Sequence, residues 1–209
     1  MNTDDLIAAM SQDTQARSNT VQVLAMTALP ALVVSLGIYF AVLGYRPDLL
    51  DLLGDPMVAG KFVLPAVVLT AVFPAMIALT RPQMKVGRGA LLILPVLALV
   101  TIAFGMFVTP SGGIINGFIG QTIPHCLVSI PMISASFLAA TLLAMRAGAV
   151  TNPRLGGALA GLVSGGAGTL IYATHCTEDN PLFYGTWYAL GIAIVALIGA
   201  FLGPRVLRW

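Results

Sequence analysis

The stretch GALLILPVLALVTIAFGMFVT, Gly89 to Thr109, contains 21 residues without a single charged side chain. It is entered through the basic residues Arg81, Lys85 and Arg88. About 20 apolar residues are enough to carry a helix across ~30 Å of hydrocarbon, so this run predicts a transmembrane helix. Five more runs read the same way: Val21 to Gly44, Phe62 to Thr80, Cys126 to Met145, Leu155 to Ala173 and Leu182 to Gly203. The chain of 209 residues is 58% hydrophobic and 9% charged, against roughly 25% charged residues in an ordinary soluble domain. A water-soluble fold of this size could not hide so much apolar surface. The expected fold is all-α: a polytopic membrane bundle of six transmembrane helices (21–209) preceded by a short cytoplasmic tail (1–20).

The flanks set the orientation. The first twenty or so residues are polar and hold Asp4, Asp5, Asp13 and Arg17, which is unlike a secretory signal, so the first span is expected to remain as an anchor. With the N-terminus inside, Arg17, Arg81, Lys85, Arg88, Arg146, Arg154, Arg205 and Arg208 are cytoplasmic and only Arg46 and Lys61 lie outside. Both termini are then cytoplasmic and the protein is a multi-pass protein of a bacterial inner membrane. Tyr39, Tyr45, Tyr172, Tyr184, Tyr188 and Trp187 fall near the outer boundary, and Trp209 near the inner one, as interfacial aromatics prefer. A net charge of +2 with scattered basic residues argues against direct nucleic-acid binding. No span carries Asp, Glu, Lys, Arg or His in its interior, which argues against a pump or coupled transporter.

Pro30, Pro65, Pro74, Pro95 and Pro131 lie within spans, where neighbouring groups can satisfy the carbonyls they free. Gly157, Gly161 and Gly165 recur every four residues and form a smooth stripe for close helix packing, either within the bundle or between the protomers of a homodimer. One short echo, His-Cys-x4-Pro, occurs at His125-Cys126…Pro131 and at His175-Cys176…Pro181. The surrounding sequence does not repeat.

Those two dipeptides hold every cysteine and histidine of the chain, and the topology places both at the outer face. Three chemistries fit them. The first is a structural disulfide between Cys126 and Cys176, or two unconnected thiols. The second is a redox switch, with Cys126 near a helix N-terminus that favours thiolate. The third is a site for a soft metal such as zinc, cadmium or copper, using Cys126, Cys176, His125 and His175. No cofactor is required by any of them; a soft divalent ion would bind transiently. No nucleophile elbow, phosphate loop, zinc-protease helix or Cys-x-x-Cys pair is present, so catalysis is not expected. In the tail, Asp4 and Asp5 suit the positive end of a short helix headed by Thr3, and Leu6, Ile7 and Met10 share one side, a surface for a partner.

The opening Thr3-Asp4-Asp5-Leu6-Ile7, the six spans, His125-Cys126, and the block from His175-Cys176-Thr177-Glu178-Asp179-Asn180-Pro181-Leu182-Phe183 to Trp187-Tyr188 together resemble the NrsF family. Its members are membrane-bound negative regulators of an extracytoplasmic-function sigma factor. The resemblance implies an anti-sigma factor that holds its sigma factor at the membrane, with Cys126 and Cys176 as a sensor pair for heavy-metal or oxidative stress. It implies a sigma-binding role for the tail (Asp4, Asp5, Leu6, Ile7, Met10). The rival reading is a small metal or solute transporter gated by the His-Cys pairs, which would need a polar path that the uncharged spans do not supply.

Overall fold

The computed structural model describes residue 3 and residues 19–52, 54–81, 83–84 and 86–208. Asp4, Asp5, Leu6, Ile7 and Met10 therefore lie outside the described residues. Among those described the fold is all-helical, with six helical spans long and apolar enough to cross a membrane: α1 Thr20–Val42, α2 Pro56–Ala78, the span Arg88–Val108 that contains α3 Ile93–Val108, α4 Ile123–Arg146, α5 Pro153–Ala173 and α6 Pro181–Val206. A 3₁₀ segment, Arg88–Leu92, leads into α3.

Three helices begin with the same chemistry. Asp55, Asn152 and Asn180 each accept a backbone N–H from the first turn, and each is followed by proline at the first helical position. The side-chain oxygen satisfies an orphan donor, and proline costs nothing where no intrahelical N–H bond is made. Asn19 and Gln22 form a reciprocal capping box at α1. These caps move some boundaries from their expected places. The Asp55-Pro56 start lengthens α2 so that Lys61 lies within a helix expected to begin at Phe62. Pro204 does not stop α6, which runs on to Val206. Pro30, Pro65, Pro74 and Pro131 lie inside continuous helices, while Pro95 falls in the first turn of α3.

At the centre stands α5, 72% buried over its apolar window, against 11% for the span that contains α3. It packs on α2, α4 and α6, while α1 lies mainly against α4 and α3 mainly against α6. The glycine stripe is spent inside the bundle: a Cβ at Gly157 would run into the Gly199 carbonyl, and one at Gly161 would reach the Val195 carbonyl at 2.5 Å. Two backbones meet there without side chains between them. Hydroxyls join the other layers. Ser35 of α1 lies 2.8 Å from the Ile133 carbonyl of α4 and against the Ser136 hydroxyl, which lies 2.9 Å from the Ala31 carbonyl, so two hydroxyl protons serve three contacts.

The tyrosines, expected near the outer boundary, are mostly turned inward. Tyr39, Tyr172, Tyr184 and Tyr188 gather at one end of the bundle, but their rings are buried, and only Tyr45 is exposed. They form the packing around the cysteines.

Candidate functional site: a clamped loop over a buried thiol pair

Between α5 and α6, residues 174–180 close over one end of the bundle. Every connection at that end holds this loop. Arg46 donates its backbone N–H to the Thr174 carbonyl (3.1 Å) and its guanidinium to Asp179 (2.8 Å). Tyr39 shares a hydroxyl hydrogen bond with Thr174 (2.7 Å), and His175 Nδ1 lies 2.8 Å from the Gly44 carbonyl. From the α3–α4 connection, Gln121 donates its backbone N–H to Glu178 (2.8 Å) and Trp187 Nε1 donates to the Phe118 carbonyl (2.7 Å). Gly120, at φ +50°, takes a left-handed turn where a Cβ would strike the Phe183 ring.

The strongest tie comes from beneath. Lys61 has a fully buried side chain, and its ammonium donates to the Asp179 carboxylate (2.8 Å) and to the Cys176 carbonyl (2.7 Å). An unpaired buried ammonium is costly, so Asp179 is what permits a lysine at this position. Asp179 also receives Arg46, which reaches back to Asp48. The hydrogen bonds to Asp48 and then Asp179 raise the Arg46 pKa, and the same guanidinium lowers that of Asp48. Arg46 and Lys61, the two basic residues that stand apart in the charge census, are thus both engaged with the loop.

The loop and the helix beneath it each bring one cysteine. Cys126, in the first turn of α4, and Cys176, fifty residues further along the chain and within the loop, are both buried as free thiols, close enough for each to shift the other's ionisation. The Tyr172 hydroxyl lies 3.2 Å from the Cys126 sulfur. The fully buried Tyr188 hydroxyl faces Cys176 without completing a hydrogen bond of good geometry with any described group. The Cys126 side chain as donor lowers the Cys176 thiol pKa, assisted by the Glu178 backbone N–H and the Lys61 charge, against the opposing effect of burial. A helix start pointed to Cys126 as the reactive sulfur, whereas the geometry collects its stabilising groups around Cys176. A cavity of about 140 Å³, lined by Thr122, His125, Tyr172, His175, Cys176 and Thr177, leads to the pair.

The structure therefore brings Cys126 and Cys176 together but does not gather the four-residue ligand set. His125 is exposed on α4, and the His175 ring is turned to the Gly44 carbonyl. Among the described residues no three His, Cys, Asp or Glu side chains converge on a point that could hold a metal ion. The sulfurs alone offer two donors. The His-Cys-x4-Pro echo also has no structural counterpart, since Pro131 lies inside α4 while Pro181 opens α6. Lys61, Asp179, Arg46, Tyr172 and Tyr188 were not singled out as a site from sequence; an isolated lysine beside an apolar run, with an acid in the opposing loop, was the available signal.

Residues 9–209 match the family described as NrsF, negative regulator of sigma F. The chain is 30% identical over 215 residues to "Anti-sigma-F factor NrsF" of Caulobacter vibrioides (strain NA1000 / CB15N), a match covering the whole of both chains. It is 39% identical over 137 residues to "Probable anti-sigma-F factor NrsF" of Azospira oryzae (strain ATCC BAA-33 / DSM 13638 / PS), a match covering 65% of this chain and 64% of that protein. No solved structure matches the chain. With the family match running over nearly its full length, the chain belongs to the NrsF family of negative regulators of sigma F.

Proposed function

We propose that this protein is a membrane-embedded anti-sigma factor that holds an extracytoplasmic-function sigma factor at the inner membrane and releases it when the Cys126–Cys176 pair changes state. In this reading both termini are cytoplasmic, the cysteine end is periplasmic, and the sigma factor is bound by the tail through Asp4, Asp5, Leu6, Ile7 and Met10. The observation that carries the sensor half is the contact of two buried thiols from separate elements, beneath a loop tied to every connection at that end.

Two signals fit that contact. With hydrogen peroxide, the Cys176 thiolate attacks one oxygen, leaving a sulfenic acid; the Cys126 thiol then displaces that oxygen as water. The net change is two thiols and one peroxide to one disulfide and two waters. A soft divalent ion would instead displace the thiol protons and bridge the two sulfurs. A disulfide would draw the two sulfurs to about 2 Å, while a bridging ion would hold them across two bonds of about 2.3 Å each; either makes a fixed link between α4 and the α5–α6 loop in place of two free thiols, favouring one bundle packing over another.

In cells carrying a sigma-dependent reporter, wild-type protein is expected to release transcription on peroxide or cadmium treatment. Cys126→Ser and Cys176→Ser, expressed at equal level, are expected to abolish the induction. An unchanged induction in both variants would remove the sensor role. Separately, full-length protein in detergent is expected to capture the sigma factor, and Leu6→Asp with Ile7→Asp to lose it; retained capture would exclude the tail as the contact.

The thiol chemistry has its own signature. Alkylation of Cys176 by iodoacetamide is expected to rise with pH around a midpoint below that of an ordinary cysteine, which titrates near about 8.5. In Cys126→Ala, which removes the main hydrogen-bond donor, that midpoint is expected to move upward. A wild-type midpoint above 8 would contradict the arrangement of donors around Cys176.

A further inference from the structure

The end of the bundle away from the cysteines carries a second built feature. Arg154 at the start of α5 and Arg205 and Arg208 at the end of α6 surround a recess of about 400 Å³. Among the described residues none of the three has a carboxylate partner: the salt bridges found involve only Arg46 and Lys61. All described acids, Asp48, Asp51, Asp55, Glu178 and Asp179, belong to the connections at the cysteine end. Arg205 is braced rather than free to wander, with its guanidinium 3.9 Å from the Phe201 ring centroid and one N–H donated to the Phe201 carbonyl (3.1 Å). The N-terminus of α5 adds its positive dipole end to the same recess.

Ala200 lines this recess and also a groove of about 710 Å³, which runs between α3, α5 and α6. Its walls are almost wholly apolar, with small residues such as Ala158, Ala193 and Ala196 along the floor. From Ala200 to Gly185 on α6 it extends about 22 Å at 1.5 Å rise per residue, more than the ~15 Å of one leaflet's share of the hydrocarbon. A basic recess opening directly onto a long apolar channel matches one kind of molecule: a negatively charged headgroup joined to acyl chains.

We propose that this continuous surface is a binding site for one anionic diacyl phospholipid, its phosphate held by Arg154, Arg205 and Arg208 and an acyl chain laid in the groove between α3 and α6. The groove lies where α3, the most lipid-exposed span but one with few neighbours besides α6, meets the rest of the bundle. A bound chain would fill that seam and brace α3.

The test uses the full chain, purified in detergent, delipidated, and titrated with phosphatidylglycerol or phosphatidylcholine of the same chain length under native mass spectrometry. One phosphatidylglycerol per protein is expected, retained in preference to phosphatidylcholine by about tenfold or more, and the preference is expected to vanish in Arg154→Gln/Arg205→Gln/Arg208→Gln. These residues are exposed, so unfolding is not expected, and the melting temperature without lipid serves as the control. Ala193→Phe, which blocks the groove, is expected to lose lipid while keeping the arginines. Should that variant fail to fold, a phosphatidylglycerol with a photoreactive acyl chain is expected to label wild-type α6 between Ala189 and Ala200. No preference between the lipids, or labelling elsewhere, would overturn the proposal. Equal affinity for soluble glycerol 3-phosphate would reduce the site to an anion recess. A dimer that buries the groove would assign it to a second copy instead.

Discussion

Replacing Asp179 by alanine is expected to destabilise the bundle by about 3 kcal/mol or more, the cost of leaving a buried charge without its partner. The loss falls on Lys61, whose ammonium has no exposed surface and would keep only the Cys176 carbonyl. Arg46 would fall back on Asp48. The opposite deletion is expected to behave differently. In Lys61→Met the aliphatic volume is largely kept, the buried charge disappears, and Asp179 retains Arg46 and partial contact with solvent; a cost under about 1.5 kcal/mol is expected. Thermal or denaturant unfolding of both variants in the same detergent measures the difference. Equal losses would mean that the buried ammonium is not the dominant group at this end.

The second large effect is expected where α5 meets α6. In Gly161→Val the new Cβ would sit 2.5 Å from the Val195 carbonyl oxygen and from the Ala196 Cα. Backbone cannot give way as a flexible side chain does, so the two helices must separate along their whole contact. Overpacking typically costs 1–3 kcal/mol, sometimes more, and here loss of the backbone approach adds to it; about 3 kcal/mol is expected. Gly37 supplies the contrast, since a Cβ there meets nothing within 4 Å. Gly37→Ala is expected to be neutral or slightly stabilising, as alanine favours helix over glycine by up to about 1 kcal/mol. Melting temperatures of the pair, measured together, separate steric from propensity effects.

How much of this was open to reading from sequence depended on whether the responsible physics is local. Uncharged runs near 20 residues report a helix directly, because the hydrocarbon thickness sets one length for all of them. The glycine stripe on α5 was equally plain, but its partner was not: Gly199 and Gly203 on α6 share the four-residue spacing, and only the packed bundle shows which stripe faces which. The start of α2 was missed because Lys61 was read as a membrane boundary. The Asp55-Pro56 pair before it carried the correct signal, a cap followed by proline. Two cysteines fifty residues apart could be named as candidates, yet their contact depends on where α4 and the α5–α6 loop meet. Which sulfur is stabilised depends further on Glu178 and Lys61, neighbours only in space. The tyrosines show the same limit, since sequence position groups them at one end of the bundle but does not tell which of them turn inward.

One layer described above acquires a mechanical meaning. The hydroxyl bonds between Ser35 and α4 are bracketed on that helix by Ile133 and Ser136, two to three turns beyond Cys126. They pin α1 near its middle, as an axle pins a rocker. From Ser35 down to Thr20 the arm is about 22 Å at 1.5 Å rise per residue, so a tilt of about 5° at the axle moves the lower end by about 2 Å. That lower end does not swing in empty space. Thr20 presses on Gly148, in the turn between α4 and α5, with so little clearance that a Cβ on the glycine would sit 2.9 Å from the threonine hydroxyl. The polypeptide that continues beyond Thr20 toward the N-terminus is therefore attached at the end of the longer arm, where a given tilt of α1 about the serine pair would give the largest displacement.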